Sequence, residues 1–115
     1  MIQHVTREIE PSQLQACTRF YALLGFQPVE TPPGVAGRAA WLERAGTQIH
    51  LMFADHVEPE RGHVGIVLQS YESTLAALRR EGHEVEPRRE HWGSPRAYLR
   101  DPAGHLVEVM AFAPR

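Results

Sequence analysis

Two stretches carry the pattern that organises the chain. The first is Trp41-Leu42-Glu43-Arg44-Ala45-Gly46-Thr47-Gln48-Ile49-His50-Leu51-Met52. The second is Tyr98-Leu99-Arg100-Asp101-Pro102-Ala103-Gly104-His105-Leu106-Val107-Glu108-Val109-Met110. Each runs from an aromatic–Leu pair through a glycine turn into an apolar strand. Trp41-Leu42 meets Tyr98-Leu99 at an offset of 57, and Gly46 meets Gly104 at 58. Working outward, Leu24-Gly25 meets Glu81-Gly82 at 57, and His4-Val5 meets His63-Val64 at 59. A near-constant offset means that one unit of somewhat under sixty residues occurs twice.

Both units read alike. Alternating residues predict a first strand over Gln3–Ile9 and its counterpart over Gly62–Gln69. A helix follows over Ser12–Leu24, with Leu14, Cys17, Tyr21 and Leu24 on one stripe and Gly25 as its stop. Its counterpart spans Tyr71–Glu81, with Ser70 as N-cap, Tyr71, Leu75 and Leu78 as the stripe, and Gly82 as the stop. Three short strands complete each unit: near 27–31, 38–43 and 48–53, then near 84–88, 96–100 and 106–112. Turn residues punctuate them, among them Pro32-Pro33-Gly34, Gly93-Ser94-Pro95 and Asp101-Pro102-Ala103-Gly104. The expected fold is therefore α+β, βαβββ twice, with module one at 1–54, a charged linker at 55–61 and module two at 62–115.

The repeat also aligns chemistry. His4 and His63 open the first strand of each unit, and His50 and Glu108 coincide in the last strand at an offset of 58. If the two units face each other, all four converge. Strand parity puts Glu108 on the face of Leu106 and Met110, and His50 on the face of Gln48 and Met52. Both strands are apolar on both faces, so both faces are expected to be covered. A lone carboxylate there is costly unless paired or coordinated, so something positive should sit beside Glu108. The four ligand-type side chains make a metal ion the economical choice, with an arginine partner as the competing one. His56 and His83 are expected in solvent, His105 faces away from Glu108, and His91 has no partner in the repeat.

Composition narrows the function. The 115 residues contain 43% hydrophobic and 23% charged side chains, enough for one ordinary core. Twelve basic against fourteen acidic residues exclude a general nucleic-acid or membrane-surface binder. No apolar run approaches the roughly 20 residues of a membrane span. Met1-Ile2-Gln3-His4 carries no charged or apolar leader pattern, so no secretory signal is expected. With Cys17 as the sole cysteine, no intrachain disulfide or cysteine zinc finger can form, and a reducing cytoplasm is the expected compartment. Every basic residue is Arg, which removes lysine-based covalent chemistry.

The chain resembles the vicinal oxygen chelate superfamily, which includes glyoxalase I, bleomycin-resistance proteins, fosfomycin thiol transferases and extradiol dioxygenases. The likeness covers essentially the whole chain. It rests on His4-Val5, Arg19-Phe20-Tyr21-Ala22-Leu23-Leu24-Gly25-Phe26, Ile49-His50-Leu51, Gly62-His63-Val64 and Asp101-Pro102-Ala103-Gly104-His105-Leu106-Val107-Glu108. The resemblance implies two βαβββ modules pairing into an incomplete barrel around a metal cavity. It places His4, His63 and Glu108 on the family's ligand positions and His50 on the fourth-strand position. Glyoxalase I carries a proton-shuttling glutamate there, so His50 argues against lactoylglutathione lyase chemistry itself.

The expected metal set is His4, His50, His63 and Glu108, with Glu108 and His50 in catalytic roles. Nitrogen ligands with one carboxylate suit Zn, Mn, Fe, Ni or Co. The expected function is a metal-dependent lyase, isomerase or dioxygenase acting on a small substrate with vicinal oxygens. The alternative is a metal-free, bleomycin-resistance-type protein that sequesters a ligand against Trp41, Trp92 and Tyr98. A homodimer is expected in either case, because a half-barrel leaves open edges.

Overall fold

The computed structural model describes residues 1–114. The chain divides into two compact units, Met1–Glu58 and Pro59–Arg115. In the first, β1 (His4–Ile9) leads through a single 3₁₀ turn (Pro11–Gln13) into α1 (Leu14–Leu23). It continues into β2 (Gln27–Val29), β3 (Ala39–Arg44) and β4 (Thr47–Phe53). The second unit holds β5 (His63–Val67), α2 (Tyr71–Arg80), β6 (Glu86–Arg88), β7 (Arg96–Arg100) and β8 (Leu106–Met110). The sheets have the same order, β1-β4-β3-β2 and β5-β8-β7-β6. In each, the first strand is parallel to the last and the other pairs are antiparallel. The expected βαβββ repeat is what the chain forms.

Helix ends follow the glycines. Phe26 N donates to Tyr21 O and Gly25 N to Ala22 O, closing α1 with Gly25 at φ +96°. His83 N to Leu78 O and Gly82 N to Arg79 O repeat the motif at α2, with Gly82 at φ +90°. This is the paired hydrogen-bond pattern that only a left-handed residue after the helix permits. The starts differ from expectation. Pro11 and the bonds Gln13 N to Glu10 O and Glu10 N to Gln13 Oε1 tighten the first turn into 3₁₀ geometry, so α1 proper begins at Leu14 rather than Ser12. Ser70 occupies the N-cap of α2 but its side chain makes no cap bond, and its carbonyl instead accepts from Ser73 Oγ.

Each helix covers one face of its own sheet. Cys17, Phe20, Tyr21 and Leu24 are buried with Ile9, Leu42, Ile49 and Leu51 in the first unit. Leu75 and Leu78 are buried with Ile66, Leu99, Val107 and Val109 in the second. The opposite sheet faces bear the polar side chains described below. No helix among the described residues is long and apolar enough to cross a membrane.

The turns preserve the repeat. Ala45 and Gly46, at φ +49° and +87°, make a two-residue hairpin between β3 and β4. Between β7 and β8, Asp101 Oδ1 accepts from the backbone N–H of Ala103 and His105, and Gly104 turns at φ +97°. From Leu42 to Ile49 and from Leu99 to Val107, matched positions in register, the second unit is one residue longer. That residue lies in the turn, so strand parity survives and Glu108 takes the sheet face that His50 takes in its unit.

Candidate functional site

In the second unit the site is built on β8, β7 and β5. Glu108 is paired in register with Tyr98 on one side and Gly65 on the other. Its carboxylate is 7% exposed yet fully engaged. Oε2 accepts from Arg96 Nε at 2.8 Å, and Oε1 accepts from His63 Nε2 at 2.9 Å. Arg96 spends its remaining donors close by: NH1 on Arg89 O at 2.7 Å and NH2 on Tyr98 Oη at 3.2 Å. The Tyr98 ring lies 5.2 Å from that of His63, and the Arg88 and Arg96 guanidinium carbons stand 5.0 and 5.2 Å from its centroid. Burial pushes the Glu108 carboxyl up, but the hydrogen bonds and charges of Arg96 and His63 outweigh it and hold the pKa below the usual carboxylate value. The positive group expected beside Glu108 is thus present in the chain itself, as Arg96.

In the first unit the equivalent positions form a stack of rings. The His50 ring lies between Trp41, at 3.9 Å and 5°, and His4, at 4.1 Å and 15°. His50 Nε2 donates to Gln48 Oε1 at 2.8 Å, and Gln48 Nε2 donates on to Glu43 Oε1 at 2.9 Å. His4 Nδ1 bonds Gln3 Oε1 at 2.6 Å. Burial, helped by the charge of His4, lowers the His50 pKa. Trp41 Nε1 is buried and, among the described residues, has no hydrogen-bond partner.

The donor geometry sorts the four candidate ligands. Two adjacent ligands about 2.1 Å from a transition metal and at right angles to it lie about 3 Å apart. The His63 Nε2–Glu108 Oε1 separation of 2.9 Å matches that edge. Arg96 holds the second oxygen, as a hydrogen-bond donor would for a carboxylate that bound a metal. His4 and His50 are different. A metal lies in the plane of the imidazole that binds it, and two rings 4.1 Å apart and within 15° of parallel cannot both have one ion in plane at bonding distance. As stacked, at most one of the pair could ligate a given ion. Among the described residues, no three His, Cys, Asp or Glu side chains are gathered into a metal-holding group.

The structure brings His63 into contact with Glu108 and His4 into contact with His50. Sequence reasoning missed Arg96 and Gln48. The signal for Arg96 was available: two residues before Tyr98 on one strand, it shares the face that Glu108 occupies. His105 is buried on the opposite parity, as expected, whereas His83 is half-buried rather than solvated. Cys17 is fully buried on α1.

Comparison with known proteins agrees with this fold. No curated protein sequence matches the chain. Among solved structures, a glyoxalase family protein from Bacillus anthracis superposes with a TM-score of 0.85 at 22% identity, covering 96% of this chain and 93% of its own. Lactoylglutathione lyase from Agrobacterium tumefaciens gives 0.73 at 23% identity, covering 96% and 92%. TnmS3, an antibiotic binding protein from Streptomyces sp. CB03234, gives 0.75 at 21% identity, covering 96% and 93%. Matched over residues 2–109 by the family model of the Glyoxalase/Bleomycin resistance protein/Dioxygenase superfamily, the chain belongs to that superfamily.

Proposed function

We propose that the protein is a metal-dependent enzyme acting on a small substrate with two adjacent oxygens, with His63 and Glu108 among the ligands of a divalent transition metal. The observation that carries the reading is the His63–Glu108 pair at 2.9 Å, with the second carboxylate oxygen held by Arg96. Such an ion supplies Lewis acidity toward vicinal oxygens. The chain's own residues do the rest. Arg96 keeps Glu108 ionised and offers it through one oxygen only. His50, its pKa lowered by burial, is neutral near pH 7. Because Nε2 carries the hydrogen given to Gln48, Nδ1 holds the lone pair and is the ring atom able to accept a proton. Trp41 and His4 fix the plane of that ring. A homodimer and a cytoplasmic location accompany this reading.

The test is metal analysis of protein loaded with Zn, Mn, Fe, Ni or Co and desalted, followed by a screen of diketones, hydroxyacids and catechols. About one ion per chain is expected, and Glu108→Gln is expected to lose it. Stoichiometry near zero for every metal, with the fold intact, overturns the reading. One observation favours a second: the Trp41–His50–His4 stack ends in an exposed His4 ring, on which a flat ligand could stack. A metal-free sequestering protein, in the manner of the antibiotic-binding neighbour, would then be the function.

A further inference from the structure

A cavity of about 360 Å³ opens in the second unit, lined by Pro87, Arg88, Arg89, His91, Arg96 and Tyr98. Among the described residues no carboxylate lines it. The charge of Arg96 is matched by Glu108, whereas among the described residues Arg89 has no ion-pair partner and Arg88 has only Glu86. The nearest acid to Arg88 is Glu86, whose Oε2 lies 4.0 Å from NH1, and both side chains are about half or more in solvent. A pair of that kind contributes little and gives way readily. Glu90 lies between Arg89 and His91 in sequence and does not line the cavity.

The wall is also organised in advance. Arg88 rests over the Tyr98 ring at 5.0 Å, and the Arg89 carbonyl is tied to Arg96 NH1 at 2.7 Å. The segment bearing Arg89 and His91 is therefore anchored to the guanidinium that holds Glu108. One forked donor over a tyrosine, with a second arginine and a histidine on the same wall, matches a planar or tetrahedral oxyanion.

We propose that this cavity is an oxyanion-binding site that takes the carboxylate or phosphate end of a ligand on Arg88 and Arg89. A volume of about 360 Å³ accommodates more than an inorganic ion, so the ligand's anionic group would bring a small organic body with it. The inference goes beyond the metal reading and stands or falls separately from it.

The probes are inorganic phosphate and acetate, added at constant ionic strength to protein dialysed against chelator, so that no metal takes part. The readout is the NMR shift of the arginine Nε–Hε and His91 signals. Saturable shifts at Arg88, Arg89 and His91 are expected. Arg88→Gln with Arg89→Gln should weaken binding at least tenfold, because charge-assisted hydrogen bonds are lost. Arg79→Gln with Arg80→Gln, on the exposed end of α2, should leave it unchanged. Stronger binding of phosphate or of acetate assigns the anionic group. Linear, unsaturated shifts with both anions overturn the proposal, as does equal affinity in the Arg88/Arg89 variant.

Discussion

Replacing Arg96 with Met should be among the most damaging single substitutions in the second unit, and its effect should depend on pH. The arginine and its carboxylate are 8% and 9% exposed at the side chain, and Arg96 also satisfies Arg89 O and Tyr98 Oη. Removing one partner of a buried pair costs about 3–5 kcal/mol, because the other charge is left uncompensated. His63 still donates to Oε1 and is one-third exposed, which places the loss near the lower end, at about 3 kcal/mol. For a chain of 115 residues that is about 12 °C in Tm. The sign with pH follows from Glu108. In the native protein its pKa is lowered, so its contribution is present at neutral pH and is lost as pH falls through the native value. Without Arg96, burial acts with less opposition and raises that pKa. The variant's deficit should therefore be largest at pH 7 and shrink toward pH 4.5 as the carboxyl is protonated. Urea unfolding of both proteins across that range is the assay. A deficit below about 1 kcal/mol at pH 7, or one that does not shrink on acidification, would refute the reasoning.

Four further outcomes follow from separate features. Gly104→Ala forces a Cβ to 3.2 Å from Pro59 Cγ at φ +97°, and should cost about 1–2 kcal/mol in urea unfolding without altering metal content. The His50 pKa is lowered in the folded state, so native stability should decline as pH falls below about 6.5, and His50→Gln should flatten that decline. Light scattering should return about twice the 13.0 kDa chain mass. Mixing His4→Ala chains with Glu108→Ala chains should restore metal binding if ligands come from two chains and not if they come from one.

The repeat was legible because it is written in features that local physics controls. Gly25 and Gly82 end helices through the same two hydrogen bonds, and Asp101 with Gly104 specifies its turn by hydrogen bonding to its own backbone. Strand parity then carried His50 and Glu108 to matched faces. Less legible were the points at which side chains choose among partners. A carboxylate in an apolar strand requires a positive neighbour, and parity alone cannot rank a metal above an arginine. The rotamer of Arg96, which brings Nε onto Oε2, depends on β7 pairing in register with β8. The stacking of His4 on His50 was hidden for a similar reason. His4 is in register with Gln48, and only the orientation of its ring decides whether it lies over His50 or beside it.

The two units differ where their charges differ. Tyr98 faces Glu108 as Trp41 faces His50, and two residues earlier Arg96 faces Met110 as Ala39 faces Met52. The position that holds an arginine beside a carboxylate is thus a buried alanine in the unit whose site is a neutral imidazole. On this argument Arg96 is present because of Glu108, and the two should be exchangeable together. Arg96→Ala with Glu108→His recreates in the second unit the pairing of the first. The double variant should be more stable than the sum of the two single losses predicts by about 1.5–3 kcal/mol, the coupling expected of a buried charge-assisted bond. It should also fail to retain metal, since the carboxylate is gone. A thermodynamic cycle over the three variants at pH 7 measures the coupling directly. Strict additivity would mean that Arg96 serves Arg89 and Tyr98 rather than Glu108, and that the difference between the units has another origin.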